Sequence, residues 1–149
     1  MMVYSIAKID PIPSIFPVRI MKRILVIDDD IDVRRCIRDI LEQSGYTVAE
    51  AENGVVGMGI FRNNQADLVI VDLFMPEKEG IETIIELRKE YPDLKILAIS
   101  GGIPGYGPDN FLNIAQKLGA DNNLDKPFNM AQLLAMVENL LSPDQTINL

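Results

Sequence analysis

Histidine is absent from the 149 residues, and cysteine occurs only once, at Cys36. Without histidine the chain lacks the commonest transition-metal ligand and the usual general base of enzymes. Any chemistry must therefore rest on carboxylates, hydroxyls and lysines. A single cysteine cannot form an intrachain disulfide, so a reducing compartment, the cytoplasm, is expected. Cys36 lies in a helical pattern and is predicted to be a small buried hydrophobe rather than a reactive thiol.

Positive charge is also scarce. The chain has 14 Lys and Arg against 22 Asp and Glu, which gives a formal net charge of −8. Duplex DNA and anionic membranes bind basic protein faces, so neither nucleic acid nor a membrane is expected as a partner. The densest basic group, Arg34, Arg35 and Arg38, is predicted to lie on a solvated helix face.

Long apolar runs are missing near the amino terminus. Residues 1–20 contain three prolines, and Lys8 and Asp10 interrupt every apolar run, which argues against a signal peptide or a membrane span. Residues 1–21 are expected to be a flexible leader or the product of an upstream start site. The polar end, 142–149, is expected to be a tail with no attached output domain. One globular domain is predicted over residues 22–141.

Short strand patterns alternate with helical patterns throughout this domain. The predicted strands are Ile24–Ile27, Tyr46–Glu50, Leu68–Val71, Leu94–Ile99 and Asn122–Asp125. Alternation of this kind predicts an α/β fold with a parallel sheet, helices on both faces and right-handed crossovers.

Cap and stop signals mark the helices. Asp30 and Asn129 are predicted amino-terminal caps, and Gly45 is the predicted left-handed stop of the first helix. Gly57 and Gly59 each weaken the second helix by up to about 1 kcal/mol relative to alanine. The third and fifth helices are expected to bury faces formed by Ile81, Ile84, Ile85, Leu87, Met130, Leu133, Leu134, Val137, Leu140 and Leu141.

Polar residues stand where the strands end. Asp28 and Asp29 follow the first strand, Asp72 the third, Ser100 the fourth and Lys126 the fifth. The ligand crevice of such a sheet lies at the carboxyl ends of its strands, so all five are expected at one rim. Two carboxylates ~4 Å apart repel by on the order of 4 kcal/mol at an effective dielectric constant of ~20. A hard cation such as Mg²⁺, bound by oxygen atoms alone, would offset this repulsion.

Asp72 is the predicted nucleophile of the group. It stands alone at the end of a central strand, whereas Asp28 and Asp29 form a pair suited to holding metal. A carboxylate that attacks a phosphoryl donor becomes an acyl phosphate. The transfer needs mainly positioning and charge neutralisation, which Mg²⁺, a lysine and a hydroxyl supply. Each residue alone is more typical of a turn or a helix cap, but together they favour a phosphoacceptor site.

Four segments in this order, ILVIDDD, VIVDLFMP, ILAIS and LDKPF, resemble the receiver domain of two-component response regulators. The resemblance covers about residues 22–141. It implies a five-stranded parallel sheet in the flavodoxin-like order 2-1-3-4-5. It also implies a cis peptide at Lys126-Pro127, which X–Pro bonds tolerate. The expected form is a CheY-like stand-alone receiver, not an enzyme, whose output passes through another protein.

The same resemblance implies a metal site and its ligands. Mg²⁺ would be bound directly by Asp29, Asp72 and the backbone carbonyl of Phe74, with Asp28 assisting through water. Asp30 matches a variable position of the family, so helix capping accounts for it.

The resemblance further implies a phosphoryl site and two protein partners. Asp72 would accept a phosphoryl group from a sensor histidine kinase or a histidine phosphotransfer protein. Lys126 would contact the acidic pocket and the phosphoryl group, and Ser100 would hydrogen-bond a phosphoryl oxygen. A downstream protein would bind the face formed by the fourth helix, the fifth strand and the fifth helix.

Three features depart from the family pattern. Asn123 stands where many receivers have an aromatic residue that moves inward on activation, so a weaker or altered ring-based readout is expected. Phe74 is bulkier and less polar than the usual residue there and is expected to slow attack of water on the phosphoryl group. The segment GGIPGYG, 101–107, replaces a commoner small-residue sequence; lacking a following Gly-Lys-Ser/Thr, it is predicted to be a mobile loop rather than a phosphate cradle.

Two other functions remain open. A degenerate receiver would act only as a protein-interaction module, although all five strand-end positions keep suitable chemistry. An aspartyl phosphatase of the haloacid dehalogenase type would use the Asp-x-Asp spacing of Asp28 and Asp30. That pattern requires Thr or Val where Asp32 stands, and it requires a later acidic cluster that the sequence does not show at a strand end.

Overall fold

The structure is a computed structural model that describes residues 21–75, 79–101 and 108–142. Apart from Met21, Gly101 and Ser142, the expected leader, glycine-rich loop and tail lie outside these ranges. Within them the elements are β1 Arg23–Ile27, α1 Ile31–Gln43, β2 Thr47–Ala51, α2 Gly54–Asn63, β3 Leu68–Asp72, α3 Glu79–Glu90, β4 Lys95–Ser100, α4 Pro108–Leu118, β5 Asn122–Asp125 and α5 Met130–Leu141.

The five strands form one sheet in the order β2-β1-β3-β4-β5, and every neighbouring pair is parallel. This confirms the predicted fold class and strand order. The predicted ends of β2 and β4 are each shifted by one residue. Thr47 pairs with Arg23 at the start of β1, so β2 begins one residue later than its apolar pattern. Observed strand ends follow the hydrogen-bonded register rather than hydrophobicity.

Two apolar layers hold the helices on the sheet. Leu25, Val69 and Ile96 belong to the layer that contains buried residues of α2, α3 and α4. The alternate strand residues, such as Ile24 and Ile70, belong to the layer that contains Ile37, Leu41, Leu133 and Val137 of α1 and α5. Successive strand side chains point to opposite faces, so a strand covered on both sides must be apolar throughout. All five residues of β3 are buried, and the first four, 68–71, are apolar as this requires.

The helix ends agree with the predicted signals. The Asp30 side chain accepts hydrogen bonds from the amides of Asp32 and Val33, which caps α1. Asn129 and Gln132 form a reciprocal capping box at α5. Gly45 has a φ of 97°, a left-handed conformation that ends the first helical region.

Three predictions of side-chain burial are wrong. Cys36 is exposed, because Ile37 and Leu41 form the buried stripe of α1 and Cys36 lies beside it. Ile85 is exposed on α3, where Thr83 is buried with Ile84. Met130 is exposed because it begins α5, before the helix reaches its first buried residue, Leu133. Within the part of the chain that the structure describes, no helix combines the length and apolarity that a bilayer span requires.

Candidate functional site

Buried polar residues collect at the carboxyl edge of the sheet. Asp28 follows β1 and is 0% exposed, while Asp72 and Ser100, the last residues of β3 and β4, are 4% and 3% exposed. Among the described residues the remaining buried polar side chain is Thr83. Charged residues are almost never fully buried without a partner, so these carboxylates require an explanation.

Lys126 connects the two buried carboxylates. Its Nζ atom lies 3.0 Å from an Asp28 carboxylate oxygen and 3.2 Å from an Asp72 carboxylate oxygen. The other oxygen of each carboxylate accepts a backbone hydrogen bond, from Asp30 N at 2.9 Å and from Phe74 N at 3.0 Å. Both carboxylates are thus oriented from two sides, with one cation shared between them.

The charges at this rim are only partly balanced. Burial raises the pKa of Asp72 to about 6; the Phe74 amide opposes this rise, and the Asp28 charge adds to it. Burial opposes the protonated form of Lys126, but its hydrogen bond to Asp28 and the charges of both carboxylates raise its pKa above the usual value. The two shifts have different causes: burial outweighs the other influences on the pKa of Asp72, whereas the two carboxylates outweigh burial at Lys126.

Asp29 completes an acidic group. One carboxylate oxygen from each of Asp28, Asp29 and Asp72 lies within 4.8 Å of the others. Asp29 is exposed, so the group is open to solvent on its side. With Lys126 the rim has an excess of two negative charges when all four groups are ionised. A set of carboxylate oxygens with excess negative charge fits a hard divalent cation such as Mg²⁺.

Ser100 and Phe74 flank this acidic group. Ser100 ends the strand next to β3, and its backbone carbonyl accepts a hydrogen bond from Lys126 N at 2.7 Å. The Lys126–Pro127 peptide is cis, as the resemblance implied. Phe74 is half-buried against the apolar layer that contains α2 and α3, and its amide holds Asp72. The structure therefore brings Asp28, Asp29, Asp72 and Lys126 together and places Ser100 and Phe74 at their border.

Asp30 does not belong to the acidic group. Its side-chain oxygen accepts hydrogen bonds from Asp32 N at 2.9 Å and Val33 N at 3.3 Å. This capping role is the one predicted from the sequence. An Asp-x-Asp phosphatase site would need the Asp30 carboxylate as its second acid, but here that carboxylate is engaged in capping the helix.

Two residues near the site were not recognised from the sequence. Arg34, predicted to be solvated, is largely buried and donates to the Asp28 carbonyl at 2.6 Å. Gly80 of α3 packs on the backbone of the nucleophile candidate, where a Cβ atom would lie 2.0 Å from the Asp72 carbonyl oxygen. The spacing of Arg34 from Asp28 was visible in the sequence, but the inward direction of its side chain was not.

An apolar groove of about 370 Å³ opens beside the acidic group. It is lined by Asp32, Val33, Cys36, Ile37, Lys126, Pro127 and Phe128. The groove joins α1 to the segment after β5, so an apolar surface lies directly next to Lys126.

Comparison with protein families gives one match that covers most of the chain. The profile described as "Response regulator receiver domain" matches residues 24–138. The matched range starts in β1 and ends in α5, and it includes every strand-end residue described above.

Curated relatives are identical to this chain at about a third of the aligned positions. The response regulator MprA of Mycobacterium sp. (strain KMS) is 38% identical over 128 residues, which cover 83% of this chain and 53% of the relative. The transcriptional regulatory protein CpxR of Klebsiella pneumoniae subsp. pneumoniae (strain HS11286) is 32% identical over 121 residues, 81% of this chain and 50% of the relative. The chain spans about half the length of these relatives.

Solved structures of similar fold include short receiver proteins. The chemotaxis protein CheY4 of Vibrio cholerae superimposes with a TM-score of 0.74 at 27% identity, over 82% of this chain and 100% of that one. A CheY-like receiver domain protein of Methanospirillum hungatei JF-1 gives a TM-score of 0.73 at 30% identity, over 81% and 94% of the two chains.

Proposed function

Because the chain belongs to the family of response regulator receiver domains, we propose that Asp72 accepts a phosphoryl group from a histidine kinase or a histidine phosphotransfer protein. The observation that carries this proposal is the position of the Asp72 carboxylate. It is buried at the end of the central strand, lies 3.2 Å from Lys126 Nζ and belongs to the acidic group with Asp28 and Asp29. The proposed receiver domain comprises residues 22–141.

The reaction is a displacement at phosphorus. A carboxylate oxygen of Asp72 attacks the phosphohistidine of the donor, and an O–P bond forms as the P–N bond breaks. The imidazole nitrogen keeps the electron pair of the broken bond, and Asp72 becomes an acyl phosphate. Lys126 offsets negative charge on the phosphoryl oxygens, and Ser100 hydrogen-bonds one of them after transfer. The apolar groove beside Lys126 gives a protein donor a surface to contact.

Mg²⁺ is the proposed cofactor. Asp29, Asp72 and the backbone carbonyl of Phe74 would hold it directly, and Asp28 would hold it through water. When bound, the ion neutralises charge on the transferred group and on the carboxylates around it. Asp28 would then keep its hydrogen bonds to Asp30 N and Lys126 Nζ, which hold it in place.

Output is proposed to pass through protein contact at the face formed by α4, β5 and α5. If phosphorylation raises the fraction of molecules with this face in the active form from ~1% to ~99%, it must favour that form by roughly 5.5 kcal/mol. Asn123 lies in β5, in register with Ala98 of β4. Many receivers have an aromatic residue at this position, whose ring moves inward on activation. Asn123 offers an amide group for hydrogen bonds instead of a ring.

Transfer of labelled phosphate tests the proposal. Histidine kinases of the host, autophosphorylated with labelled ATP, are incubated with wild type, Asp72→Asn and the exposed control Asp39→Asn, with Mg²⁺ or with EDTA. Wild type and Asp39→Asn should be labelled only with Mg²⁺, and hydroxylamine should release the label as expected for an acyl phosphate. Label retained on Asp72→Asn would refute the assignment of the acceptor. No label from any kinase or small phosphodonor would instead favour an interaction module without phosphotransfer.

A further inference from the structure

Arg34 bridges α1 to the carboxyl ends of β1 and β2. One guanidinium nitrogen donates to the backbone carbonyl of Asp28 at 2.6 Å, and Nε donates to Glu50 at 3.3 Å. The side chains of Arg34 and Glu50 are only 12% and 17% exposed. Glu50 also accepts a hydrogen bond from Arg38 at 2.8 Å, so its carboxylate is held from two turns of α1. Arg34 is therefore confined to one position by its partners.

The carbonyl that Arg34 binds belongs to the peptide between Asp28 and Asp29. The amide of Asp28 is bound to the Ala51 carbonyl of β2 at 3.1 Å, and the Asp28 side chain is bound by Asp30 N and Lys126 Nζ. The Asp29 carboxylate, by contrast, has no hydrogen-bond or ion-pair partner among the described residues. Its position thus depends on its backbone, and Arg34 holds the peptide immediately before it.

Arg34 could influence cation binding in two opposite ways. By holding the peptide before Asp29 it would strengthen cation binding, whereas by its charge it would weaken it. A guanidinium close to a cation site repels the cation, so its removal should tighten cation binding. Glu50 weakens this repulsion because it pairs with Arg34 and supplies the compensating charge. Two influences of opposite sign therefore act through one residue, and measured cation affinity distinguishes them.

We propose that Arg34 is a positioning residue for the Mg²⁺ site, fixing the Asp28–Asp29 peptide and, through it, the Asp29 carboxylate. Glu50 in turn fixes Arg34. This inference rests on the proposed function in one respect, that the acidic group binds Mg²⁺. Arg34 and Glu50 would keep the solvent-exposed side of the site in the arrangement that the ion requires. Their opposite charges leave the net charge of the site unchanged.

Calorimetric titration of the metal-free protein with Mg²⁺ tests this role. Arg34→Met keeps much of the apolar stem and removes the donors, and it should weaken Mg²⁺ binding on the order of tenfold, as loss of a supporting partner does in other metal sites. Arg34→Lys keeps the charge and one donor group and should weaken binding by about threefold. Arg35→Met is the matched control, because Arg35 is exposed on the same helix and, among the described residues, no hydrogen bond joins it to Glu50 or to Asp28. Its affinity should stay within about twofold of wild type.

The outcomes separate the two proposals. Absence of Mg²⁺ binding by wild type would refute the proposed function together with this role. Mg²⁺ binding by wild type with equal or tighter binding by Arg34→Met would refute the positioning role alone. Thermal unfolding in EDTA shows whether each variant is folded before titration. If Arg34→Met does not fold, Arg34→Lys decides, and wild-type affinity in that variant would overturn the role.

Discussion

At the carboxyl edge of the sheet, where the strands end, one lysine contacts two buried carboxylates. At the amino edge, where the strands begin, one arginine donates five hydrogen bonds. Lys126 Nζ is shared between Asp28 and Asp72. Arg88, at the end of α3, donates to the carbonyls of Pro92, Leu94 and Gly119 and to the Asp121 carboxylate. These contacts use all five N–H donors of the guanidinium group.

The difference shows where the molecule retains unsatisfied charge. At the amino edge the Asp121 carboxylate also accepts a hydrogen bond from Ile96 N at 2.7 Å, so the polar groups around Arg88 are matched. The exception there is Arg23 Nε, which is buried without a partner among the described residues. At the carboxyl edge an acidic excess remains at the position where α/β sheets bind ligands. The amino edge is thus arranged for stability, whereas the carboxyl edge keeps the acidic excess that the proposed Mg²⁺ site requires.

The largest effect is expected from Lys126→Met, which removes the cation of the carboxyl edge. Phosphotransfer to Asp72 should slow by about 100- to 1000-fold, because the charge that develops on the transferred group loses a fixed partner. Initial rates of labelling by a kinase measure this. Lys95→Met, at the exposed start of β4 on the opposite edge, should leave the rate within about twofold. Equal rates for the two variants would contradict a special role for Lys126.

The next effect concerns the amino edge. Arg88→Met should lower the free energy of unfolding by about 2–4 kcal/mol, since it leaves several partly buried carbonyls without donors. Denaturant titration followed by circular dichroism measures this change. Arg62→Met is the control, because Arg62 forms exposed ion pairs with Glu86 and Glu90, and its loss should cost at most about 1 kcal/mol. Mg²⁺ affinity should be unchanged in both; a weaker affinity in Arg88→Met would show that the two edges are coupled.

A smaller effect of opposite sign is expected from Asp72→Asn. The pKa of Asp72 is raised to about 6 in the folded protein from an ordinary 3.8, so folding disfavours the carboxylate. The wild-type protein should lose stability as the pH rises from about 4 to about 6, because the folded state binds more protons there. Without metal, Asn should therefore stabilise the protein by about 1–3 kcal/mol above pH 6.

This gain should disappear as the pH falls toward 4. Denaturant unfolding in EDTA at several pH values provides the measurement. At the other edge, Asp121→Asn should instead destabilise the protein by about 1 kcal/mol, since Asp121 is paired with Arg88. Destabilisation by Asp72→Asn at pH 8 would mean that Lys126 already compensates its charge.

The smallest effect is expected in α2, in residues that join neither edge network. Apart from its chain neighbours and the backbone of its own helix, a Cβ atom at Gly59 would have no heavy atom within 4 Å. Gly59→Ala should therefore stabilise the protein by about 0.5–1 kcal/mol through helix propensity alone. A Cβ atom at Gly57 would lie 2.4 Å from Ile27 Cδ1, so Gly57→Ala should gain less or destabilise. Thermal melts of both variants test the difference, and an equal gain at the two positions would contradict the packing at Gly57.

Local patterns were sufficient for most of the elements. The apolar runs before Asp28 and Asp72 are continuous because their strands are covered on both faces. The caps at Asp30 and Asn129 satisfy amides only two or three residues away, so their signals are local. Burial near helix ends was less predictable, as Met130 shows, because periodicity identifies the face of a helix but not the point where it passes the edge of the sheet.

Contacts between distant residues were the part that local patterns missed. The sequence does not distinguish the side-chain directions of the three arginines Arg34, Arg35 and Arg38. The inward direction of Arg34 depends on Glu50, a residue of β2. Likewise, the close approach of Gly80 to the Asp72 carbonyl depends on the packing of α3 against β3. Neither contact produces a periodic pattern in the sequence, so neither could be predicted from one sequence.

The sequence by itself determined the alternation of strands and helices and the identity of the polar residues at the strand ends, because both depend on local spacing. Only the tertiary structure decided which charges meet. Parallel pairing brings residues 98 positions apart, Asp28 and Lys126, to 3.0 Å, and burial then raises the pKa of Asp72. Charge interactions depend on distance and on exclusion of water, and both arise only when the sheet and its helices are assembled.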